Sequence, residues 1–226
     1  MSTFIEKASA YTEAGSTITI SKPAGTADGH VMYAGILIYA LYESINSVPS
    51  GWTEVWSVTS ADGKQTLTTW RKVASSEGAS YQWGFTGSTN ASGGIATYSG
   101  NDNTTPVDVS GSQANDSDST SVTAPAVITT ADNETVIYIG GTRWNEPTTW
   151  TPPTSTTERI EQAGASSGGQ FTSIEFAEYV QSSAGSTGTK VATINVATHS
   201  LAGQIALKEA SSYAPLPTKV WSMLNG

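Results

Sequence analysis

Residues 21–39 read SKPAGTADGHVMYAGILIY, and residues 123–141 read TAPAVITTADNETVIYIGG. Each stretch has a proline-marked entry, an acidic turn and an apolar strand. Aligned by letter, Pro23 matches Pro125, and the run 31–33 (VMY) matches the run 136–138 (VIY). An internal repeat constrains a fold more strongly than any single segment does. Residues 21–39 therefore predict one half of a duplicated β core.

The repeat continues through the rest of both copies. TEVWS (53–57) matches TERIE (157–161), RKVASSEG (71–78) matches EYVQSSAG (178–185), and GGIATYS (93–99) matches GQIALKE (203–209). The offset grows from 102 at Pro23 to 110 at Ile95, which indicates small insertions in turns. The predicted division is an N-terminal arm at 1–15, halves at about 16–100 and 119–210, a linker at 101–118 and a tail at 211–226.

The composition excludes several classes of protein. The chain has 226 residues and no cysteine, which removes thiol catalysis, Cys-based zinc sites and disulfide scaffolds. Its net charge of −9 argues against nucleic-acid partners and against anionic lipid surfaces. The longest apolar run, 31–42, is too short for a membrane helix, so no membrane insertion is expected. The first residues lack the apolar core of a signal peptide, which predicts synthesis in the cytoplasm without a leader.

Turn signals recur every 8–12 residues and separate about a dozen short strand patterns, while no segment has a convincing helical period. The predicted fold class is all-β, a jelly-roll-like antiparallel β-sandwich built from two pseudo-repeated halves. In this interpretation each half gives strands to both sheets. The alternative is two small sandwiches in tandem. Residues 31–42 are apolar almost throughout, which predicts a strand buried on both faces.

Two charged residues occupy matching positions on apolar strand faces. Arg71 and Glu178 stand at the start of the third repeated segment in each half. A charge on a buried face needs a partner. One hypothesis is that the two side chains pair with each other across a pseudo-twofold core, and the alternative is that a bulge turns them outward.

Little in the sequence predicts catalysis, and we expect no enzymatic activity. The two histidines, His30 and His199, lie near strand ends without a nucleophile motif or a metal-binding spacing. Glycosidases use a pair of carboxylates, and the repeat mates Glu54 and Glu158 are one pair that would meet across a pseudodyad. Solvation at a strand edge explains both residues more simply. The predicted catalytic set is therefore empty.

Two acidic loops offer oxygen ligands of the kind that Ca²⁺ prefers. The candidates are Asp102 in the first loop and Asp116 and Asp118 in the second. Neither loop has the spacing of an EF-hand, and such turns also form without metal through side chain to backbone hydrogen bonds. The expectation is no cofactor, with calcium as the alternative.

A proline- and tryptophan-rich loop is the candidate binding site for carbohydrate. Sugars stack on exposed aromatic faces with polar groups at the rim. The loop supplies two indoles and three polar side chains: Trp144, Trp150, Arg143, Asn145 and Glu146. The alternative is that these tryptophans cover one end of the sandwich, as Trp52, Trp70 and Trp83 are expected to fill its core.

The C-terminal residues 211–226 are unusually apolar for a chain end. The apolar members are Tyr213, Leu216, Val220, Trp221, Met223 and Leu224. A cluster of this kind needs a surface against which to bury itself. It is predicted either to pack on its own domain or to act as a docking tail that anchors the chain to a partner or a second copy.

Several segments together resemble a module of bacteriophages and some bacterial surface proteins. They are PAGTADGHVMYAGILIY, PSGWTEVW, WRKVASSEGASYQWGF and GGIATYSGNDNTTPVDV, and the resemblance spans about residues 21–207. Such modules pair a GT-x-DGD turn with a later GI-A-Y-x-G-V-D…P-D segment and a degenerate second copy. This chain departs from the pattern at His30, where Asp is usual, and at Asn101, where Val is usual.

The resemblance implies a non-enzymatic virion component, either a capsid decoration or fibre protein or a part of the tail. The implied partners are other virion proteins and further copies of this chain in a homo-oligomer, and the implied location is the virion. The alternative function is a carbohydrate-binding adhesin that recognises a host surface glycan. A β-sandwich glycosidase is the third function.

Overall fold

The computed structural model describes residues 1–39, 43–164 and 169–211. Within these ranges the chain forms antiparallel strands and no helix, so the predicted all-β class is confirmed. No helix long and apolar enough to cross a membrane occurs in these ranges. The predicted docking residues, from Tyr213 to Leu224, lie outside the described residues.

The first half folds into one six-stranded sheet. Its strands are β1 (Thr3–Ser21), β2 (Val31–Tyr39), β3 (Ile45–Ser47), β4 (Thr53–Thr59), β5 (Gln65–Val73) and β6 (Ser80–Ser99). The order across the sheet is β1-β6-β2-β5-β4, and β3 pairs with the early part of β6. Strand β2 therefore lies in the centre.

The second half repeats this arrangement in a second sheet. Its main strands are β7 (Val107–Ala124), β9 (Glu134–Trp144), β10 (Trp150–Thr151), β11 (Thr157–Ala163), β12 (Phe171–Gln181) and β14 (Lys190–Leu207). Strand β14 pairs with β7, β10 and β9, and the order continues through β12 to β11. The short strands β8 (Ile128–Thr129) and β13 (Gly185–Ser186) pair with each other.

Each half builds one whole sheet, so the expectation that each half gives strands to both sheets was wrong in this detail. The two sheets pack face to face around a shared core. From the first half this core receives side chains such as Tyr33, Leu37 and Tyr98, and from the second half it receives Ile139 and Phe176. Because both halves bury apolar surface in one core, they form a single sandwich rather than two independent ones.

The outer face of each sheet is covered by side chains from strands of the same sheet. Ile18 and Ile20 of β1 and Trp83 of β6 pack on Met32 and Ile36 of β2, which belongs to the same sheet. Register shifts between residues 12 and 17 mark the place where β1 bends to fold over this face. A smaller cluster covers the outer face of the second sheet in the same way. Strand β2 is consequently buried on both faces, as its continuous apolar sequence predicts.

Two predicted boundaries were wrong. Residues 3–15 are not a separate arm, because they belong to β1 and pair with β6 along the edge of the first sheet. Residues 107–118 are not a linker, because they form most of β7, the matching edge strand of the second sheet. Edge strands face solvent along much of their length, so their sequences lose the apolar alternation by which a buried strand is recognised.

In the central strands, the alignment of the two copies by residue identity differs by one residue from their alignment by strand pairing. Tyr33 points into the shared core, whereas Tyr138 points to the outer face. The strand pairings align Tyr33 with Ile137 instead, since these residues face the repeat mates Arg71 and Glu178. A slip of one residue moves a side chain to the opposite face. The structural repeat therefore follows burial rather than residue identity.

Glycines let the two sheets approach each other at equivalent places. A Cβ atom at Gly94 would lie 2.7 Å from the Ile160 side chain, and one at Gly203 would lie 2.7 Å from the Trp56 ring. Strand β11, which carries Ile160, corresponds to β4, which carries Trp56. Each edge strand thus inserts one large side chain over a glycine of the other sheet, which supports the pseudo-twofold relation between the halves.

Candidate functional site

The polar loop end of the sandwich is the candidate functional site, because loops of both halves meet there around Arg143. One Arg143 Nη donates to Gln170 Oε1 at 2.7 Å, and the other lies 3.4 Å from Asp62 Oδ2. The guanidinium also lies over the Tyr39 ring, 5.3 Å from its centroid. Its backbone N–H donates to Gln65 Oε1 of the first half. Arg143 therefore joins β9 to three parts of the chain at once.

Asp62 is the acidic centre of this loop end. Its Oδ1 accepts from the Ser60 hydroxyl at 2.6 Å and from the Lys64 backbone N–H at 3.1 Å. Partial burial raises the pKa of Asp62, but these hydrogen bonds and the charges of Arg143 and Lys64 outweigh burial and lower it. The carboxylate is consequently held ionised opposite the guanidinium.

His199 lies between two carboxylates at the same end. Its Nδ1 is 3.9 Å from Asp62 Oδ2, and its Nε2 is 3.8 Å from Asp118 Oδ1. Neither distance is a hydrogen bond. No serine or threonine hydroxyl among the described residues is hydrogen-bonded to this imidazole, so the contacts place it between charges without forming a nucleophile–base pair.

The structure places the five predicted sugar-binding residues unequally. Asn145 and Glu146 are exposed, and Arg143 and Trp144 are half-buried. Asn145 Oδ1 accepts from Gln170 Nε2 at 2.8 Å, so it belongs to the Arg143 network. Trp150 is only 7 % exposed and does not offer a ring face to a ligand. The prediction of Trp150 as an exposed stacking surface was therefore wrong.

Trp150 instead covers the outer face of the second sheet. Its indole N–H donates to Ser173 Oγ at 2.8 Å, and its backbone N–H donates to Glu161 Oε1 at 3.0 Å. Its ring lies against Gly140, where a Cβ atom would come within 2.9 Å of the indole. Pairing of β10 with β14 fixes the residue in this position. A loop rich in proline and tryptophan gives no sign of such pairing in sequence.

Glu175 is the most deeply buried acidic side chain of this face. It is 0 % exposed, and neither carboxylate oxygen has a hydrogen-bond partner among the described residues. Burial, together with the neighbouring carboxylates of Glu158 and Glu161, raises the pKa of Glu175 to about 9, against a smaller lowering by the charge of Lys7. The side chain is therefore a neutral carboxylic acid at neutral pH.

The candidate calcium ligands bind protein donors. Asp102 Oδ1 accepts from the backbone N–H groups of Thr104 and Thr105, which lower the pKa of Asp102. Asp116 Oδ1 accepts from the Ala61 N–H at 2.7 Å, which ties the second loop to the first half. Within the described ranges, no three His, Asp or Glu side chains are grouped closely enough to hold a metal ion. The expectation of no cofactor, with calcium as the alternative, stays a prediction.

The carboxylates considered as catalytic or core pairs have separate surroundings. Glu54 and Glu158 lie on the outer faces of opposite sheets, so they do not meet across the core. Glu178 faces the core, where it accepts from the Tyr98 hydroxyl at 2.6 Å and pairs with Arg159. The hypothesis of an Arg71–Glu178 pair was therefore wrong about the partner, because Arg159 of the adjacent edge strand β11 reaches the carboxylate.

Sequence reasoning missed the residues that complete the loop end. Asp62, Gln65 and Gln170 were not among the residues singled out from the sequence. The contacts of Asp62 and Gln65 with Arg143 join residues about 80 positions apart in the chain, and Gln170 lies 27 positions from Arg143. No local signal reveals them, since they depend on how the two sheets are stacked.

Comparisons with known proteins bring no relative to this chain: no family model, curated protein or solved structure matches it. The resemblance to phage modules stays a prediction.

Proposed function

We propose that the chain is a non-enzymatic structural protein of a bacteriophage virion, a capsid decoration, fibre or tail component. The observation that carries this proposal is that polar side chains form contacts between the two halves of the chain. Asp62 and Arg143 join the two halves at the loop end, and Glu178 and Tyr98 join them inside the sandwich. These hydrogen bonds and ion pairs hold the two halves together, as expected of a rigid structural protein.

A long edge strand supports a role in assembly. Strand β1 has 19 residues and, among the described strands, pairs only with β6, so one of its edges has no strand partner in the described part of the chain. Such an edge accepts a further strand from a neighbouring chain. This edge and the apolar sequence of residues 211–226 support the proposal that the chain forms a homo-oligomer and contacts other virion proteins. The resemblance of residues 21–207 to phage modules is the reason for proposing a bacteriophage virion as the particle.

We expect the chain to be found in purified virions at a fixed position and copy number. Mass spectrometry of gradient-purified particles, with antibody labelling in electron micrographs, measures both. Removing residues 212–226 leaves every described strand in place, so this variant is expected to keep its β-type circular dichroism but to be lost from particles. Absence of the full chain from particles contradicts the proposal, and incorporation of the truncated chain contradicts the role of the tail.

A second candidate function, adhesion to a surface glycan, is favoured by one feature of the loop end. The half-buried Trp144 lies next to the exposed side chains of Asn145 and Glu146, which offers an indole beside exposed polar groups. If this site binds sugar, Trp144→Ala is expected to abolish glycan-array binding while Trp150→Phe, at the buried indole, preserves it. Equal binding by the parent chain and Trp144→Ala contradicts this candidate.

A further inference from the structure

A groove of about 280 Å³ lies on the outer face of the first sheet. Trp70 forms its floor, and hydroxyl side chains of β4 and β5 form one wall. Within that wall Thr59 and Thr66 are hydrogen-bonded at 2.8 Å, and Ser57 and Thr68 at 2.9 Å. A cavity of about 150 Å³ already accommodates a benzene ring, so this groove has room for an indole.

The second half shows what fills the equivalent place. The strand pairings Thr59–Thr66 and Ala163–Ser173 are repeat mates, and so are the pairings Ile45–Phe85 and Trp150–Ile194. In the second half the Trp150 indole covers this position and donates to Ser173. In the first half Ile45 stands where Trp150 would be, and its smaller side chain leaves the groove open. Thr66 takes the place of Ser173 as the available acceptor.

The charges of the groove define the rest of the occupant. Among the described lining residues the ionisable side chains are Glu43 and Glu54, and neither forms an ion pair with any described residue. Val48 at the rim is 41 % exposed. Trp70 is only 3 % exposed, so the groove offers an edge of its ring rather than the open face on which a sugar stacks. An occupant with one indole and one positive charge matches these groups.

We infer that the groove binds the chain's own terminal segment through Trp221 and Lys219. Lys219 is the only basic residue among residues 211–226, and it stands two positions before Trp221. In an extended strand residues i and i+2 point to the same side. Trp221 therefore enters the slot above Ile45 and donates to Thr66, while Lys219 pairs with Glu43 or Glu54.

The length of the segment permits this contact within one chain or between two. Trp221 lies ten positions after Ser211, the last described residue, and an extended chain spans about 3.3–3.6 Å per residue, which gives a reach of about 33–36 Å. This inference extends the proposed role in assembly, but its test uses the purified chain and is independent of any particle. Failure of one can thus be told apart from failure of the other.

The absence of cysteine makes disulfide mapping a direct test. Val48→Cys at the groove rim is combined with Ser222→Cys beside Trp221, in the full-length chain. The matched control combines Ser222→Cys with Thr154→Cys, an exposed turn position in the second half, where Trp150 fills the slot. We expect the first pair to oxidise on the order of tenfold faster than the control, because docking raises the effective concentration of the two thiols.

Non-reducing gels then separate a cross-link within one chain from one between two chains, and both forms support the inference. Trp221→Ala, a change outside the described fold, is expected to reduce the rate to that of the control. Ile45→Trp, which copies the filled slot of the second half, is expected to do the same. Equal rates for the two cysteine pairs, or a rate unchanged by Trp221→Ala, overturn the inference.

Discussion

Glu175→Gln is expected to raise the free energy of unfolding by about 3 kcal/mol at pH 7. Burial raises the pKa of Glu175 to about 9 from an ordinary value of 4.5. Between these two values the folded chain keeps a proton that the unfolded chain has lost. The contribution of Glu175 to the free energy of unfolding is therefore complete below about pH 4.5 and declines as the pH rises toward 9. Glutamine keeps the shape of the neutral acid and removes this dependence.

The size of the effect follows from the interval over which the proton is held. The free energy of unfolding falls by about 1.4 kcal/mol for each pH unit above the ordinary pKa of the carboxyl group. The difference between Glu175→Gln and the parent is thus close to zero near pH 4.5 and grows steadily through pH 7. Chemical denaturation at several pH values between 4.5 and 8.5 measures it.

The matched control is Glu146→Gln, which makes the same chemical change at an exposed loop position. This variant is expected to follow the parent across the whole pH range. Parallel profiles for the parent and Glu175→Gln would mean that the carboxyl group ionises in the folded chain at its usual pH. That result would contradict the description of Glu175 as a neutral acid under the Trp150 cover.

Burial patterns explain which parts of the fold were predictable from sequence. Strand β2 was predicted because a strand buried on both faces is apolar throughout, and its echo in β9 revealed the duplication. Most of the length of the edge strands β1 and β7 was not predicted, since their outward positions carry Ser, Thr, Glu and Lys, which also fill loops. The assignment of strands to sheets was wrong in detail because a repeat does not say whether its copies stack or interleave.

The candidate site was predictable only in part, for a different reason. The loop containing Arg143, Trp144 and Asn145 was found from its composition, and it does lie at one end of the sandwich. Gln170 comes from the same half, whereas Asp62 and Gln65 come from the other half, and their approach depends on the stacking of the sheets. Trp150 was misplaced because a two-residue strand leaves no periodic pattern. The amino-acid composition was thus enough to identify the loop, but its contacts could be found only from the tertiary structure.

Phe176→Ala is expected to lower the free energy of unfolding by about 4 kcal/mol, the usual cost of removing a buried aromatic ring. Phe176 is fully buried in the core shared by the two sheets. Val180 lies on the same strand, is 47 % exposed, and supplies the control, since Val180→Ala is expected to cost less than about 1 kcal/mol. Equal losses in chemical denaturation would contradict the assignment of the core.

The same ring tests whether the two halves are one cooperative unit. A Cβ atom at Gly35 of the first sheet would lie 3.0 Å from Phe176 Cζ of the second. Gly35→Ala alone is therefore expected to cost about 1–3 kcal/mol through overpacking. In the Phe176→Ala background the added methyl enters the vacated space, so the double variant is expected to lose less than the sum of the single losses. Strictly additive losses would contradict direct contact between the sheets.

The shared core also predicts that the two halves unfold cooperatively. If the shared core couples the halves, the parent and each variant unfold in one transition, with the same midpoint for the tryptophan fluorescence and for the far-ultraviolet circular dichroism. Trp52, Trp70 and Trp83 report mainly on the outer cluster of the first half, whereas circular dichroism reports on both sheets. Two separate midpoints in Phe176→Ala would mean that each half is stable alone. Tandem sandwiches would then describe the energetics better than one sandwich does, even though the sheets are stacked.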